Sequence, residues 1–325
     1  MAHQLATTND RTAMMYSGET PWHGLGTRLE EPATASEAIT AAGLNYFVQL
    51  QSLETTSQIP VTQRRAVVRT DNKTVLGVVG NSYQPVQNES CFSFLDEVVA
   101  DGSLRYHTAG ALGQGEKIWM LAKLPGEIHI KNTDDVTERY LLLSNSHDGT
   151  SSLRVFFTPI RVVCANTLGM AERRGKGQGV SIIHKGDLSS KVREAQKILG
   201  LAHRFYADFD ERVNHLARHT PTVKQVENYF ALLYPDTAEL NRQRARNVRH
   251  QLMHLFEHGR GQELSGIRHT SWAAFNAVTE YVDHHRSTRG QTSQDRAAKR
   301  LESAWFGSGA TLKATAWKLA MEMAV

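Results

Sequence analysis

Four segments between residues 104 and 158 constrain this chain more than any other feature. Leu104–Ala111, Lys117–Leu124, Arg139–Ser146 and Leu153–Thr158 are rich in the residue types that suit a pleated, half-buried surface. Clusters at Gly113–Gly115 and His147-Asp148-Gly149 punctuate the series. Parallel neighbours need a crossover of about a dozen residues or more. The short spacing therefore predicts an antiparallel meander rather than βαβ units. Pro159 follows the last strand and is suited to the first turn of a helix, predicted to run to about Gly169.

Upstream, Thr34–Gly43 reads as a short helix capped by Ser36 and ended by Gly43. Phe47–Leu53 alternates as a strand. Arg64–Thr70 and Thr74–Gly80 flank Asp71-Asn72-Lys73, a hairpin turn. Gln87–Asp101 carries Phe92, Leu95, Val98 and Val99 at helical spacing. Downstream, Arg173-Arg174-Gly175-Lys176-Gly177-Gln178-Gly179 reads as a basic, glycine-rich linker, and Val180–His184 as a short strand. Helices are then predicted at Leu188–Ala217, Val223–Leu233, Glu239–His258, Ser271–His285, Thr292–Trp305 and Ala310–Met323. The expected fold class is α+β: a central antiparallel strand meander plus helix, followed by a largely helical C-terminal region. The expected division is residues 1–186, a mixed α/β core with N-terminal loops, and 187–325, the helical region.

With 40% hydrophobic and 22% charged residues, the chain reads as globular rather than disordered. No window approaches the roughly 18 apolar residues of a membrane span. The polar start, Met1–Asp10, lacks the pattern of a secretory signal. Two cysteines, Cys91 and Cys164, lie outside any CxxC or Cys/His spacing and read as reduced thiols. A cytoplasmic protein in a bacterial host is the expectation.

No phosphate loop, HExxH or GxSxG is present. No catalytic residue, metal ligand or cofactor is therefore assigned. Cys164, among Val162, Val163 and Ala165, reads as a small buried hydrophobe. The pair His147-Asp148 and the run Asp283-His284-His285 are the tightest metal-ligand clusters. Adjacent helical residues diverge, so His284 and His285 do not easily share one ion.

Charge is unevenly placed. Residues 1–150 hold 11 Lys/Arg against 17 Asp/Glu, and residues 151–325 hold 26 against 16. A basic half of this kind points to a polyanionic partner. The competing reading is a solvated surface, or arginines paired with the acidic half. Arg154, Arg161, Arg173, Arg174, Lys176 and Lys185 form one basic set, assigned to nucleic-acid binding. Arg242, Arg244, Arg246 and Arg249 form a second, in which 242, 246 and 249 share a helix face. Arginine takes phosphate bidentately. Trp119, Phe156 and Phe157 are candidate base-stacking aromatics, although one of the two adjacent phenylalanines must face inward.

Several stretches together resemble a known family. They are Pro21-Trp22-His23-Gly24-Leu25-Gly26, Tyr83-Gln84-Pro85-Val86-Gln87-Asn88, Arg161-Val162-Val163-Cys164-Ala165-Asn166-Thr167-Leu168, Asn276-Ala277-Val278-Thr279-Glu280-Tyr281 and Ala304-Trp305-Phe306-Gly307. The family consists of phage- and plasmid-encoded proteins classed as a domain of unknown function. The resemblance spans almost the whole chain and implies a mobile-element origin, with no activity attached. In architecture alone, the meander, helix and basic helical region resemble single-strand annealing recombinases of the Red-beta, RecT and Erf type. That likeness implies a ring or filament of identical subunits holding single-stranded DNA in a basic groove. The expected function is thus single-stranded DNA binding and annealing in homologous recombination. A metal-dependent nuclease using Asp/His clusters and a protein that disarms a host defence factor are the alternatives.

Overall fold

The computed structural model describes residues 6–8, 11–17, 26–98, 105–151, 153–161, 166–167, 179–182, 188–236 and 239–325. The meander forms where the β-rich segments predict it. It comprises β8 (Arg105–Leu112), β9 (Lys117–His129), β10 (Val136–Ser146) and β11 (Leu153–Arg161). Each strand is antiparallel to its neighbour. A short antiparallel pair, β1 (Thr7–Thr8) and β2 (Arg11–Thr12), stands apart from this sheet. The sheet grows to eight strands with β3 (Met14–Ser17), β4 (Thr27–Leu29), β12 (Asn166–Thr167) and β13 (Gly179–Ile182). Its order is β12-β11-β10-β9-β8-β3-β4, with β13 also on β11.

The helix predicted from Pro159 to Gly169 is not formed. Pro159 to Arg161 continue β11, and Ile160 and Arg161 pair with Thr167 and Asn166. Proline cannot donate to a ladder and is tolerated where a strand lacks a neighbour. Residues 157–159 are such a place, because β13 covers Leu153–Phe156 and β12 begins at Ile160. The helix that follows the meander is instead α3 (Leu188–Arg218), of 31 residues.

A second sheet contains β5 (Val48–Glu54), β6 (Pro60–Arg69) and β7 (Val75–Gly80). The Asp71-Asn72-Lys73 turn closes β6 to β7, with Lys73 at φ +62° and Asn72 Oδ1 accepting from Thr74 N at 3.0 Å. The short helix α1 (Ala35–Ala41) is capped by Thr34 rather than Ser36. Thr34 has extended backbone and accepts from Glu37 N, while the Glu37 carboxylate accepts from Thr34 N at 2.9 Å. Only the residue just outside the helix can exchange these two bonds. Helix α2 (Asn88–Val98) follows β7.

Alternation along the strands divides the main sheet into two apolar faces. Met120, Leu141, Leu143 and Phe157 point to one. There Phe157 packs on Phe205 and Tyr206 of α3, and Phe92 of α2 on Tyr106. Trp119, Leu121, Tyr140 and Leu142 point to the other, under Leu301, Trp305 and Phe306 of α7 (Ser293–Phe306). Trp119 meets Trp305 edge to face and is fully buried.

The β9–β10 ladder carries a bulge between Glu138 and Tyr140. The Tyr206 hydroxyl enters there, accepting from Tyr140 N at 2.9 Å and donating to Tyr140 O at 2.6 Å. One phenol thus satisfies both polar groups of the residue at the bulge.

The remaining helices are α4 (Val223–Leu233), α5 (Glu239–His258), α6 (Ser271–Glu280) and α8 (Ser308–Met323). Every residue of α6 is buried. Trp272 Nε1 donates to Asp135 Oδ2 at 2.8 Å, so α6 is bonded to the β9–β10 connection. A π-turn, Tyr281–His285, extends α6. Beside it Lys313 of α8 and Asp283 form a fully buried ion pair at 2.8 Å. The apolar cluster is continuous from the strands to α8, across the expected boundary at 186/187. Among the described residues, no helix is long and apolar enough to cross a membrane.

Candidate nucleic-acid interface

The structure shows what most of the motif residues do. In the segment 83–88, Tyr83 Oη donates to Ser146 O at 3.0 Å. Gln87 bonds both polar groups of Val48, accepting from N at 3.0 Å and donating to O at 2.9 Å. Asn88 Nδ2 donates to Leu44 O at 2.9 Å, which turns its Oδ1 toward His147 Nε2 at 2.8 Å. This segment therefore joins the small sheet to the β10–β11 turn. In the segment 276–281, Asn276 Nδ2 donates to Trp272 O and Glu280 accepts from Arg260 N. Trp305 covers Trp119. Pro21 to Leu25, Val162 to Ala165 and Leu168 lie outside the described residues.

His147, on which a nuclease reading leans, is fully buried. Because Asn88 presents its oxygen, Nε2 carries the proton and Nδ1 is left without a partner. Burial brings its pKa down to about 4, with Arg69 adding to the effect and Asp148 opposing it. The Asp148 carboxylate turns away to Ser146 and Thr150. The two residues thus do not present a shared ligand set.

Another titratable cluster lies at the sheet end, beside a cleft of about 510 Å³ lined by Arg105, Lys123, Glu127 and His129. Lys123 pairs with Glu138, which also accepts from Tyr140 Oη at 2.6 Å. His129 faces Glu127 at 3.7 Å. Burial opposes ionisation of Glu138, but its two donors hold it below the usual carboxylate range. Bases and acids largely cancel here.

The assigned basic set falls only partly within the described residues. Arg154 is exposed on β11, opposite Ser144 and Ser181. Arg161 ends the same strand, about 23 Å further along at 3.3 Å per residue. Arg173, Arg174, Lys176 and Lys185 lie outside the described residues, as does Cys164. Of the candidate stacking aromatics, Trp119 and Phe157 are core, and Phe156 is half-buried against the α7 cluster.

Two basic stretches stand out among the described residues. On α5, Arg242, Arg246, His250, His254 and His258 recur every four residues and are all exposed. Four-residue steps form one slanting row on a helix. Arg249 bonds Asp236 at 3.0 Å and Tyr234 O at 3.0 Å, so it is paired, though with a carboxylate of the basic half itself. Arg242, Arg244 and Arg246 have no carboxylate partner among the described residues. Beside this row, a cleft of about 410 Å³ is lined by Asn228, Arg246, Arg249 and His250.

The second stretch runs from the π-turn into α7. Arg289 and Arg296 are exposed, and Arg286, Lys299 and Arg300 are half-buried. Arg300 donates to Arg286 O at 3.0 Å and His284 O at 2.9 Å, and Arg296 donates to Gly290 O at 3.1 Å. These arginines tie the loop down through backbone carbonyls. Burial, and then neighbouring Arg296, lower the pKa of Arg300. Sequence reading missed this stretch. Its signal was visible as five basic residues between 286 and 300 against Asp295 alone.

One family, described as "Domain of unknown function (DUF932)", matches residues 75–305. Two Escherichia coli (strain K12) proteins are similar over shorter stretches. "UPF0380 protein YfjQ" is 38% identical over 95 residues, 29% of this chain and 33% of that protein. "UPF0380 protein YafZ" is 43% identical over 65 residues, 20% of this chain and 23% of that protein. The matched segments thus span a third or less of these relatives. No solved structure matches.

Proposed function

Taking as premise that this chain belongs to the DUF932 family, we propose that it binds single-stranded DNA along its basic helical face and promotes annealing without chemistry. The observation that carries this reading is the exposure of Arg242, Arg246, Arg289 and Arg296 on α5 and the approach to α7, with no carboxylate partner among the described residues. Arg154, Arg161, Arg173, Arg174, Lys176 and Lys185 extend the basic set along the chain. Bound arginines release the strand's counterions and screen phosphate repulsion, which leaves bases available for pairing. Identical subunits in a ring or filament would continue the groove. The resemblance to phage- and plasmid-encoded proteins agrees with a recombination role.

The test is fluorescence anisotropy of a labelled single-stranded oligonucleotide across a salt series, with a duplex control. Each phosphate neutralised contributes a slope of about −0.7 in log K against log salt for a single strand. An Arg242→Gln/Arg246→Gln double variant should flatten the slope by about 1.4. Absence of binding at low salt, or an unchanged slope in that variant, refutes the assignment. Native mass spectrometry showing only monomer with and without DNA would sink the ring form.

A further inference from the structure

The π-turn Tyr281–His285 closes when Arg286 N donates to Tyr281 O at 2.7 Å. π-Turns within helices occur frequently at functional sites, because the extra residue re-aims the side chains beyond it. Here Tyr281 meets Tyr234 edge to face, with centroids 6.0 Å apart. Arg286 and Arg244 of α5 both lie within electrostatic reach of these two rings.

Among the described residues, no carboxylate neutralises this pair of cations. Arg286 Nη1 is buried with no hydrogen-bond partner. The Tyr234 hydroxyl, though close to that of Tyr281, is also buried without a bond of normal geometry. The surrounding carboxylates are already engaged. Asp236 holds Arg249, Asp283 holds Lys313, and Glu280 accepts from Arg260 N and faces His285 at 3.8 Å. Burial raises both phenols, so they remain neutral donors. An unpaired donor on a buried guanidinium is costly. Arg244 brings a second positive charge to the same two phenols.

A tetrahedral oxyanion has acceptors for both open donors, Arg286 Nη1 and the Tyr234 hydroxyl. Its several oxygens accept from a guanidinium fork and from hydroxyls. We propose that Arg286 and Arg244, together with the hydroxyls of Tyr234 and Tyr281, form a binding site for a phosphate group. The group is either a diester of the nucleic-acid backbone or part of a free phosphorylated ligand. The site stands on its own geometry and does not require the strand-binding reading to hold.

The test uses the full chain and inorganic phosphate, with sodium chloride at equal ionic strength as control. Phosphate should raise the thermal midpoint of the wild-type protein. Arg286→Gln should abolish that shift. Arg244→Gln, at an exposed position, should weaken phosphate affinity about tenfold, as expected for one charge-assisted bond. Equal phosphate responses in all three proteins, or none in the wild type at tens of millimolar, overturn the site. A parallel anisotropy titration with a single-stranded oligonucleotide identifies the source. If Arg286→Gln loses both responses, the site holds backbone phosphate. If it loses the phosphate response and keeps oligonucleotide affinity, the site holds a free phosphorylated ligand. Failure of the wild type to bind any oligonucleotide refutes strand binding and leaves the phosphate response to be read by itself.

Discussion

His147 makes this protein's stability depend on pH in a calculable way. It is fully buried, and the bond from its Nε2 to Asn88 fixes the neutral tautomer. In the unfolded chain its pKa is about 6.5, and in the folded chain it is about 4. The folded state therefore binds this proton less readily than the unfolded state. Stability is complete above the unfolded value and is lost as pH falls from about 6.5 toward 4. A shift of about 2.5 units at 1.36 kcal/mol each gives a total near 3 kcal/mol, of which about 2 kcal/mol is gone by pH 5. His147→Gln keeps an amide donor for Asn88 Oδ1 and removes the titration. Urea unfolding at pH 7 and pH 5 should show the wild type losing about 2 kcal/mol more than the variant. Carboxylates with lowered pKa values, such as Asp71 and Asp148, contribute equally to both proteins and cancel. Equal losses in wild type and variant would refute the buried, neutral assignment.

Two further stability predictions rest on buried polar contacts. Lys313→Met removes the buried ammonium from the Asp283 carboxylate and should cost about 3–5 kcal/mol by urea unfolding; a Lys313→Met/Asp283→Leu double variant should recover most of it. Tyr206→Phe strips both polar groups of Tyr140 of their partner at the bulge, and should cost about 1–3 kcal/mol with faster hydrogen exchange at Tyr140 N.

Local chemistry determined a large part of this fold. The residue types of 104–158 and their spacing led to the meander, and Asp71-Asn72-Lys73 to its hairpin. Helical periodicity placed the C-terminal helices close to their observed bounds. These signals are legible because alternation and the 3.6-residue repeat act over short stretches. Pro159 misled, because its preference for a helix start is local while its place in β11 depends on which neighbouring strands are absent. Ser36 and Thr34 both suit a cap, and the reciprocal bond with Glu37 decided between them.

The candidate site divides in the same way. An excess of arginine in the second half was plain from composition, and so was a polyanionic partner as its reading. Trp119 and Phe157 were open to a stacking role until α7 and α3 were seen to cover them. The phosphate-site residues belong to three elements: Tyr234 closes α4, Arg244 lies on α5, and Tyr281 and Arg286 border the π-turn. No periodicity links positions so far apart in sequence. Their meeting is decided by helix packing, because burial and the lack of a counter-charge are properties of a folded neighbourhood, not of any one segment.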